Sequence, residues 1–128
     1  MPFVPAAEAL NAAAVDLDEI ARESGEPPWR RCLVGTPGLR VVLLAWPPGY
    51  STIPHVHPAA EEIFSIVRGR ALVTIGSDPE REVGPGSFLL AERGVRHVIR
   101  VPEGDVPLLL LAAVAPNEDW AEETIEPA

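Results

Sequence analysis

The hydrophobic residues of this chain fall into short runs that are separated by turn-forming residues. Fifteen prolines and ten glycines interrupt the sequence, and the brief apolar runs between such residues are typical of β-strands. The pattern predicts seven strands, at residues 31–34, 39–46, 62–67, 71–75, 87–91, 97–101 and 108–114. Because closing a sheet removes its exposed edges, we predict an all-β domain built as a small barrel.

The two ends of the chain differ from this central segment. Residues 6–14 are rich in alanine and are expected to be helical, and Asp16 with Glu19 three positions later predicts the cap of a short helix that ends near Gly25. We expect this helix to cover one end of the barrel. Residues 116–128 are acidic, and acidic blocks usually face solvent, which favours a solvated tail or an oligomer contact.

These patterns divide the 128 residues into three parts. Residues 1–30 form a partly helical extension, residues 31–115 a barrel, and residues 116–128 an acidic tail. This length fits one compact domain, and 47% hydrophobic residues is ordinary for a folded globular protein.

Charge and composition exclude several functions. The formal net charge of −9 disfavours nucleic acid as a partner. All ten basic residues are arginine, which excludes Schiff-base lysine chemistry and a phosphate-loop lysine.

The longest apolar run has eight residues, far below the roughly 20 that span a bilayer. The single cysteine, Cys32, and the lack of a secretory signal pattern lead us to expect a cytoplasmic protein without a membrane role.

The three histidines of the chain follow one pattern with a glutamate. His55 and His57 are two positions apart, Glu62 follows, and His97 lies far downstream. Side chains two apart on an extended strand point to one face, so both imidazoles of the first pair can reach one ion. Two histidines at this spacing also occur on exposed strands without a metal, and the pair alone is weak evidence.

The glycines around these residues make the pattern more specific. Gly49, His55, His57, Glu62 and Gly69 match G-x5-H-x-H-x3-4-E-x6-G. After a gap of sixteen residues, Gly86, Gly94 and His97 match most of G-x5-P-x-G-x2-H-x3-N, with Glu92 in place of the proline and Val101 in place of the asparagine. Over residues 31–114 the chain thus resembles the small single-domain proteins of the cupin superfamily.

The resemblance implies a double-stranded β-helix, or jelly-roll, fold with a metal centre. It implies that His55, His57, Glu62 and His97 are the ligands of one divalent transition metal. Three imidazoles and a carboxylate suit Fe, Mn, Ni, Co, Cu or Zn, and an ion that prefers six ligands keeps two positions for substrate or dioxygen. The missing proline is expected to alter the turn before His97.

Strand alternation predicts which side chains near the proposed ligands point toward the metal site. Glu61 and Glu62 point to opposite faces, so Glu61 is expected outside the site, while Glu62 can act as both ligand and proton acceptor. Tyr50 can donate a proton at the mouth, although packing on the rim is the more common role for a loop aromatic. Arg40 and Arg70 could reach a substrate carboxylate, but arginines that begin strands are usually solvated, and Arg96 and Arg100 are expected at the surface.

An apolar wall is expected around the metal. Phe64 and Ile66 share a face with Glu62, Ile99 shares one with His97, and Trp46 and Phe88 are plausible neighbours. These residues serve first as the barrel core and second as a pocket wall. Such a wall favours a small, partly apolar ligand.

Several functions remain open from the sequence. The resemblance favours a metal-dependent enzyme, with a dioxygenase first and an isomerase, decarboxylase or lyase as alternatives. A non-catalytic module that binds a small molecule or senses metal is the other possibility. A barrel this small is also expected to pair as a homodimer.

Overall fold

A computed structural model of the chain describes residues 4–5, 9–104, 106–118 and 120–121, with the backbone alone at 4–5 and 120–121. The one helix of this part of the chain is α1 (Leu17–Ser24). The strands are β1 (Val4–Pro5), β2 (Trp29–Thr36), β3 (Leu39–Trp46), β4 (Glu61–Arg68), β5 (Ala71–Ile75), β6 (Arg81–Val83), β7 (Phe88–Ala91), β8 (His97–Arg100), β9 (Leu108–Ala115) and β10 (Trp120–Ala121).

Most strands belong to two antiparallel sheets. One sheet has five strands in the order β2-β3-β9-β4-β7, and the other has three in the order β6-β5-β8. The short β1 and β10 pair in parallel. Apolar side chains from both sheets, among them Phe64 and Leu110 from one and Val73 and Ile99 from the other, form a single buried cluster. The predicted all-β, jelly-roll architecture is confirmed.

The helix begins and ends where its capping residues predict. The carboxylate of Asp16 accepts hydrogen bonds from the backbone N–H groups of Asp18 and Glu19, and Gly25 ends the helix with φ +78°. Residues 9–16 are not helical, which contradicts the alanine-rich prediction for that part, and residues 6–8 lie outside the described chain. Alanine propensity alone is too weak to form a helix without a packed face.

The position of the helix differs from the sequence-based expectation. Ile20 is 7% exposed and packs with Leu33, Leu43, Ala45 and Leu109 on the outer face of the five-stranded sheet. The helix therefore covers a side of that sheet and not an end of the barrel. Within the described residues, no helix is both long and apolar enough to cross a membrane.

Strand boundaries differ from the sequence pattern in two places that matter for the site. β6 is absent from the predicted strands, because its three residues include two exposed charged side chains. His55 and His57 lie in the connection between β3 and β4 and outside the named strands, with His55 forming only an isolated bridge to His97. Two prolines, Pro54 and Pro58, border this pair and lack the N–H that a continuing strand needs.

Candidate metal site

Backbone hydrogen bonds attach the histidine-bearing connection to the start of β8. His55 and His97 exchange two backbone bonds, with N···O distances of 3.0 and 2.9 Å. The N–H of Gly94 donates to the carbonyl of His57 at 2.9 Å. Glu62 is the second residue of β4, which begins soon after the connection. The connection, β4 and β8 thus bring His97 to the same wall of the barrel as His55, His57 and Glu62.

The three imidazoles converge. One ring nitrogen each from His55, His57 and His97 can be chosen so that all three lie within 4.8 Å of one another. His97 is 4% exposed, and the other two rings are partly buried. Three neutral nitrogens at this spacing are a suitable donor set for a divalent transition metal ion.

Glu62 contacts two of these rings. Its Oε1 lies 2.8 Å from Nε2 of His57 and 3.3 Å from Nε2 of His97. Although this oxygen is buried, neither contact is aligned as a hydrogen bond, and Oε1 has no hydrogen-bond partner among the described residues. Buried polar atoms without such a partner are rare. The atom fits the role of a metal ligand, which would satisfy it without an N–H donor.

The charges of the cluster follow from these contacts. Burial raises the pKa of Glu62, but His57 and His97 reverse this effect and lower it to about 2. The contact with Glu62 raises the pKa of His57 against the effect of burial, and Glu118 adds to the rise. Burial and the neighbouring His97 lower the pKa of His55. Without a metal, the carboxylate of Glu62 is ionised and lies against the ring of His57.

Glu118 is a member of the site that the sequence did not reveal. Its Oε1 accepts a hydrogen bond from Nδ1 of His57 at 2.8 Å, and its Oε2 accepts one from the N–H of Ala59 at 2.9 Å. Glu118 is exposed, as expected of the acidic tail, but the expectation that this tail takes no part in the site is wrong for this residue. A carboxylate on Nδ1 leaves Nε2 for a metal ion and fixes the orientation of the ring.

A cavity of about 820 Å³ opens from the cluster into the barrel. Four of the six predicted wall residues, Trp46, Tyr50, Phe64 and Ile99, line it. Trp46 and Tyr50 stack with centroids 4.7 Å apart, and Phe64 meets His97 edge-on at 5.3 Å. The ring of Tyr50 therefore packs on the rim while the residue still borders the cavity.

The two remaining residues, Ile66 and Phe88, do not line the cavity, although Ile66 agrees with the primary expectation of a core residue. Ile66 is buried in the core, where β4 nears its bulge, and it does not line the cavity. Phe88 is 65% exposed. In the register of β4 and β7, Glu62 pairs with Ala91 and Ser65 pairs with Phe88, so alternation from Ala91 directs Phe88 outward.

Arg40 also departs from the sequence-based expectation, whereas the other arginines agree with it. Arg40 is 2% exposed and lines the cavity. Alternation along β3 places it on the face of Trp46, six residues later, and this count was available in the sequence. Arg70 is exposed and paired with Glu82, Arg100 is paired with Glu80, and Arg96 and Glu61 are exposed.

Comparison with known proteins identifies the family. The family described as "Cupin domain" matches residues 42–114, more than half of the chain. No curated protein matches the chain. The fold is that of a small β-barrel with a cluster of three histidines, and the chain belongs to the cupin domain family.

Several solved structures are similar to most of the chain. TT1209 from Thermus thermophilus is 28% identical, with a TM-score of 0.71 over 82% of this chain and 98% of that one. KdgF from Halomonas sp. is 26% identical, with a TM-score of 0.64 over 70% and 79%. The DMSP lyase DddQ from Ruegeria pomeroyi is 27% identical, with a TM-score of 0.64 over 73% of this chain and 49% of that one.

Proposed function

We propose that this protein is a metal-dependent enzyme that acts on a small, metal-chelating organic molecule. The observation that carries the proposal is the convergence of His55, His57 and His97 at the wall of a cavity of about 820 Å³. We assign Glu62 as the fourth ligand. A cavity of this size suits a small organic molecule, and a metal ion with four protein ligands can also bind such a molecule directly.

The residues of the chain have separate roles in this proposal. His55, His57, His97 and Glu62 hold the ion, which supplies Lewis-acid or redox chemistry when bound. Glu118 orients His57 through Nδ1. Trp46, Phe64 and Ile99 exclude water from one side of the cavity. Glu62 also accepts a proton from the substrate, because it borders the cavity in which the substrate binds.

An oxygen-dependent reaction is the first candidate. The apolar wall beside the imidazoles suits a flavonol, enediol or diketone, whose adjacent oxygens chelate metal. Protein loaded with iron, nickel or manganese is therefore expected to consume oxygen when such compounds are added. Tight binding of these compounds without turnover would instead support a non-catalytic binding module.

A lyase is the second candidate, because the similar protein DddQ is a DMSP lyase. In that case Tyr50, which lines the cavity, is the second proton-transfer group. Tyr50→Phe keeps the ring that stacks on Trp46 and removes only the hydroxyl. A lyase is expected to lose turnover by at least about 10²-fold in this variant, to retain its metal, and to consume no oxygen.

Metal binding by the protein is tested directly. Elemental analysis of protein purified without added metal, and of protein reconstituted with each candidate ion, is expected to give about one transition metal per chain. His57→Ala is expected to lose it. If the reconstituted wild type binds no transition metal, the proposal is wrong and only the fold remains.

We also propose a homodimer. Ile63, Phe88 and Leu90 are exposed large apolar residues on the outer face of β4 and β7, and Ile63 pairs with Leu90. β7 is the last strand of its sheet in the described residues, and a second copy would cover this face. Light scattering is expected to give twice the chain mass for wild type and for Val106→Glu, an exposed apolar site elsewhere. Phe88→Glu is expected to give the monomer mass, and a monomeric wild type would contradict the dimer.

A further inference from the structure

Trp46 and Tyr50 form an aromatic pair in the cavity that holds the histidine cluster. Their rings stack with centroids 4.7 Å apart and an interplanar angle of 23°. Both residues line the cavity, and both are only partly buried. Neither is among the proposed metal ligands, so the pair is free to contact a molecule that enters the cavity.

Backbone pairing gives the distance between this pair and the metal site. The connection that carries the histidines runs antiparallel to β8, with His55 bonded to His97 and the carbonyl of Tyr50 accepting from the N–H of Val101 at 2.8 Å. His97 and Val101 are four residues apart, which is about 13 Å along an extended strand. A molecule that is bound to the ion must therefore be elongated to meet Tyr50 as well.

The wall between the two ends of the cavity supplies apolar surface. Val42 and Leu44 of β3 and Ile99 of β8 line it. Thr52 also lines the cavity, but its hydroxyl already accepts a hydrogen bond from the N–H of Ile99 at 3.1 Å. This stretch of wall therefore suits an apolar segment that joins a chelating group to a remote ring.

The aromatic pair is held in place by the fold. Trp46 is the last residue of β3 and pairs with Leu108 of β9. The N–H of Tyr50 donates to the carbonyl of Pro47 at 3.1 Å, and its own carbonyl is fixed by Val101. Since aromatic rings prefer stacked or edge-to-face contacts with one another, such a pair favours a third aromatic ring over a saturated group of the same size.

We propose that Trp46 and Tyr50 form a second binding subsite, which holds the aromatic end of an elongated molecule whose other end chelates the metal ion. The inference rests on the proposed metal site and names the substrate class of that site. A cavity of about 820 Å³ has room for such a molecule. Chelators that are too short to reach the pair bind weakly, so the two rings determine specificity.

Three diketones test the subsite without requiring turnover. 1-Phenylbutane-1,3-dione carries the chelating group and one ring. 1-(Biphenyl-4-yl)butane-1,3-dione adds a second aromatic ring at the end remote from the metal. 1-(4-Cyclohexylphenyl)butane-1,3-dione has a saturated ring of similar size in the same place. The three compounds share one chelating group, so differences in their affinity report on the outer ring.

Calorimetric titration of the nickel-loaded protein gives a dissociation constant for each compound. The wild type is expected to bind the biphenylyl compound at least about tenfold more tightly than the phenyl compound, because a further ring leaves water. The cyclohexyl compound is expected to bind at least about twofold less tightly than the biphenylyl compound, since its outer ring has no flat face to stack.

Substitutions at the pair identify the residues responsible. Trp46→Leu and Tyr50→Leu each remove one ring, and each is expected to reduce the preference for the biphenylyl compound by at least about threefold while retaining the affinity for the phenyl compound. Tyr50→Leu decides the matter if Trp46→Leu fails to fold. Tyr50→Phe keeps the ring and is expected to retain the preference. Phe88→Leu is the matched control, because it removes an exposed aromatic ring outside the cavity, and it is also expected to retain the preference.

The outcomes separate this inference from the proposed metal site. Equal affinity of the wild type for the phenyl and biphenylyl compounds overturns the inference alone, as does a preference that survives in both leucine variants of the pair. Equal or tighter binding of the cyclohexyl compound also overturns it, because apolar contact is then sufficient. Failure of the reconstituted protein to bind nickel overturns the metal site and the inference with it. A preference that is reduced in Trp46→Leu and Tyr50→Leu but retained in Tyr50→Phe and Phe88→Leu supports the subsite.

Discussion

Glu118 and His57 are 61 positions apart in the sequence, and their side chains are joined by a hydrogen bond of 2.8 Å. The other carboxylate oxygen of Glu118 accepts from the N–H of Ala59. The residue therefore connects the end of the barrel sequence to the connection that carries His55 and His57. In metal sites, a carboxylate on the second nitrogen of an imidazole fixes the ring and raises its basicity.

Removing this carboxylate is expected to weaken metal binding. Glu118→Ala loses both hydrogen bonds, and the metal dissociation constant should rise by about 10- to 100-fold. Glu118→Gln keeps one acceptor oxygen and should show a smaller rise. Competition against a metal-binding dye measures both values.

Glu61→Gln provides the control for Glu118. Glu61 carries the same charge on an exposed face of β4, and its replacement should leave metal affinity unchanged. An equal loss in this variant would mean that net charge, and not the contact with His57, determines the affinity.

The ionisation of Glu62 predicts how metal-free protein responds to acid. Its pKa is about 2 in the folded state against 4.5 for the ordinary group. A depressed folded pKa contributes stability above the unfolded value, and this contribution is lost as the pH falls toward the folded value. The free energy of unfolding of wild type should therefore fall by about 2 kcal/mol more than that of Glu62→Gln between pH 5.5 and pH 3.

Urea unfolding in the presence of a chelator measures this difference. If the two proteins lose stability in parallel over the same pH range, Glu62 is not the ionised partner of His57 in the metal-free state. Glu92→Gln, a change at an exposed acid, should follow the wild type.

The sequence predicted the parts of the site that depend on spacing. The framing glycines and the spacing of His55, His57 and His97 indicated a shared centre, and the structure brings these rings together. The cap at Asp16 likewise predicted the start of α1. In each case a local rule, either capping geometry or motif spacing, is sufficient to predict the feature from the sequence.

The parts that the sequence did not predict depend on long-range register. The assignment of Phe88 to the wall fails because the pairing of β7 with β4 is not evident in the sequence, and a strand viewed alone has two possible inner faces. Arg40 is expected in solvent because most arginines are, although its alternation with Trp46 points inward. Glu118 follows β9 by three residues and lies in no motif, so only the folded chain brings it to His57.

Packing of the helix is expected to matter for stability and not for the metal site. Ile20 is buried between α1 and the outer face of the five-stranded sheet, beside Leu43 and Leu109. Ile20→Ala should lower the free energy of unfolding by about 2 kcal/mol. This is at the lower end for a buried isoleucine, because the void that the substitution leaves lies near the protein surface. Chemical denaturation measures this loss.

The metal affinity of Ile20→Ala should equal that of wild type. The residues of β3 that face the helix, Leu43 and Ala45, alternate with those that line the cavity, Val42 and Leu44. A large change in metal affinity would show that the two faces of this sheet are coupled. Val15→Ala, at an exposed position before the helix, should change neither property.

Comparing Gly69 with Gly86 distinguishes two reasons why a position requires glycine, which are a positive φ angle and a lack of space for a Cβ. Their φ angles are nearly equal, +84° and +87°, a region that other residues adopt only with strain. A Cβ at Gly69 would lie 2.5 Å from the carbonyl oxygen of Pro107, whereas one at Gly86 would have no neighbour within 4 Å. Gly86→Ala should therefore cost about 1 kcal/mol from conformation alone, and Gly69→Ala should cost clearly more, because the obstructing atom belongs to the backbone. Thermal and urea unfolding of the two variants compare these costs, and equal losses would show that the chain at Pro107 moves aside without penalty.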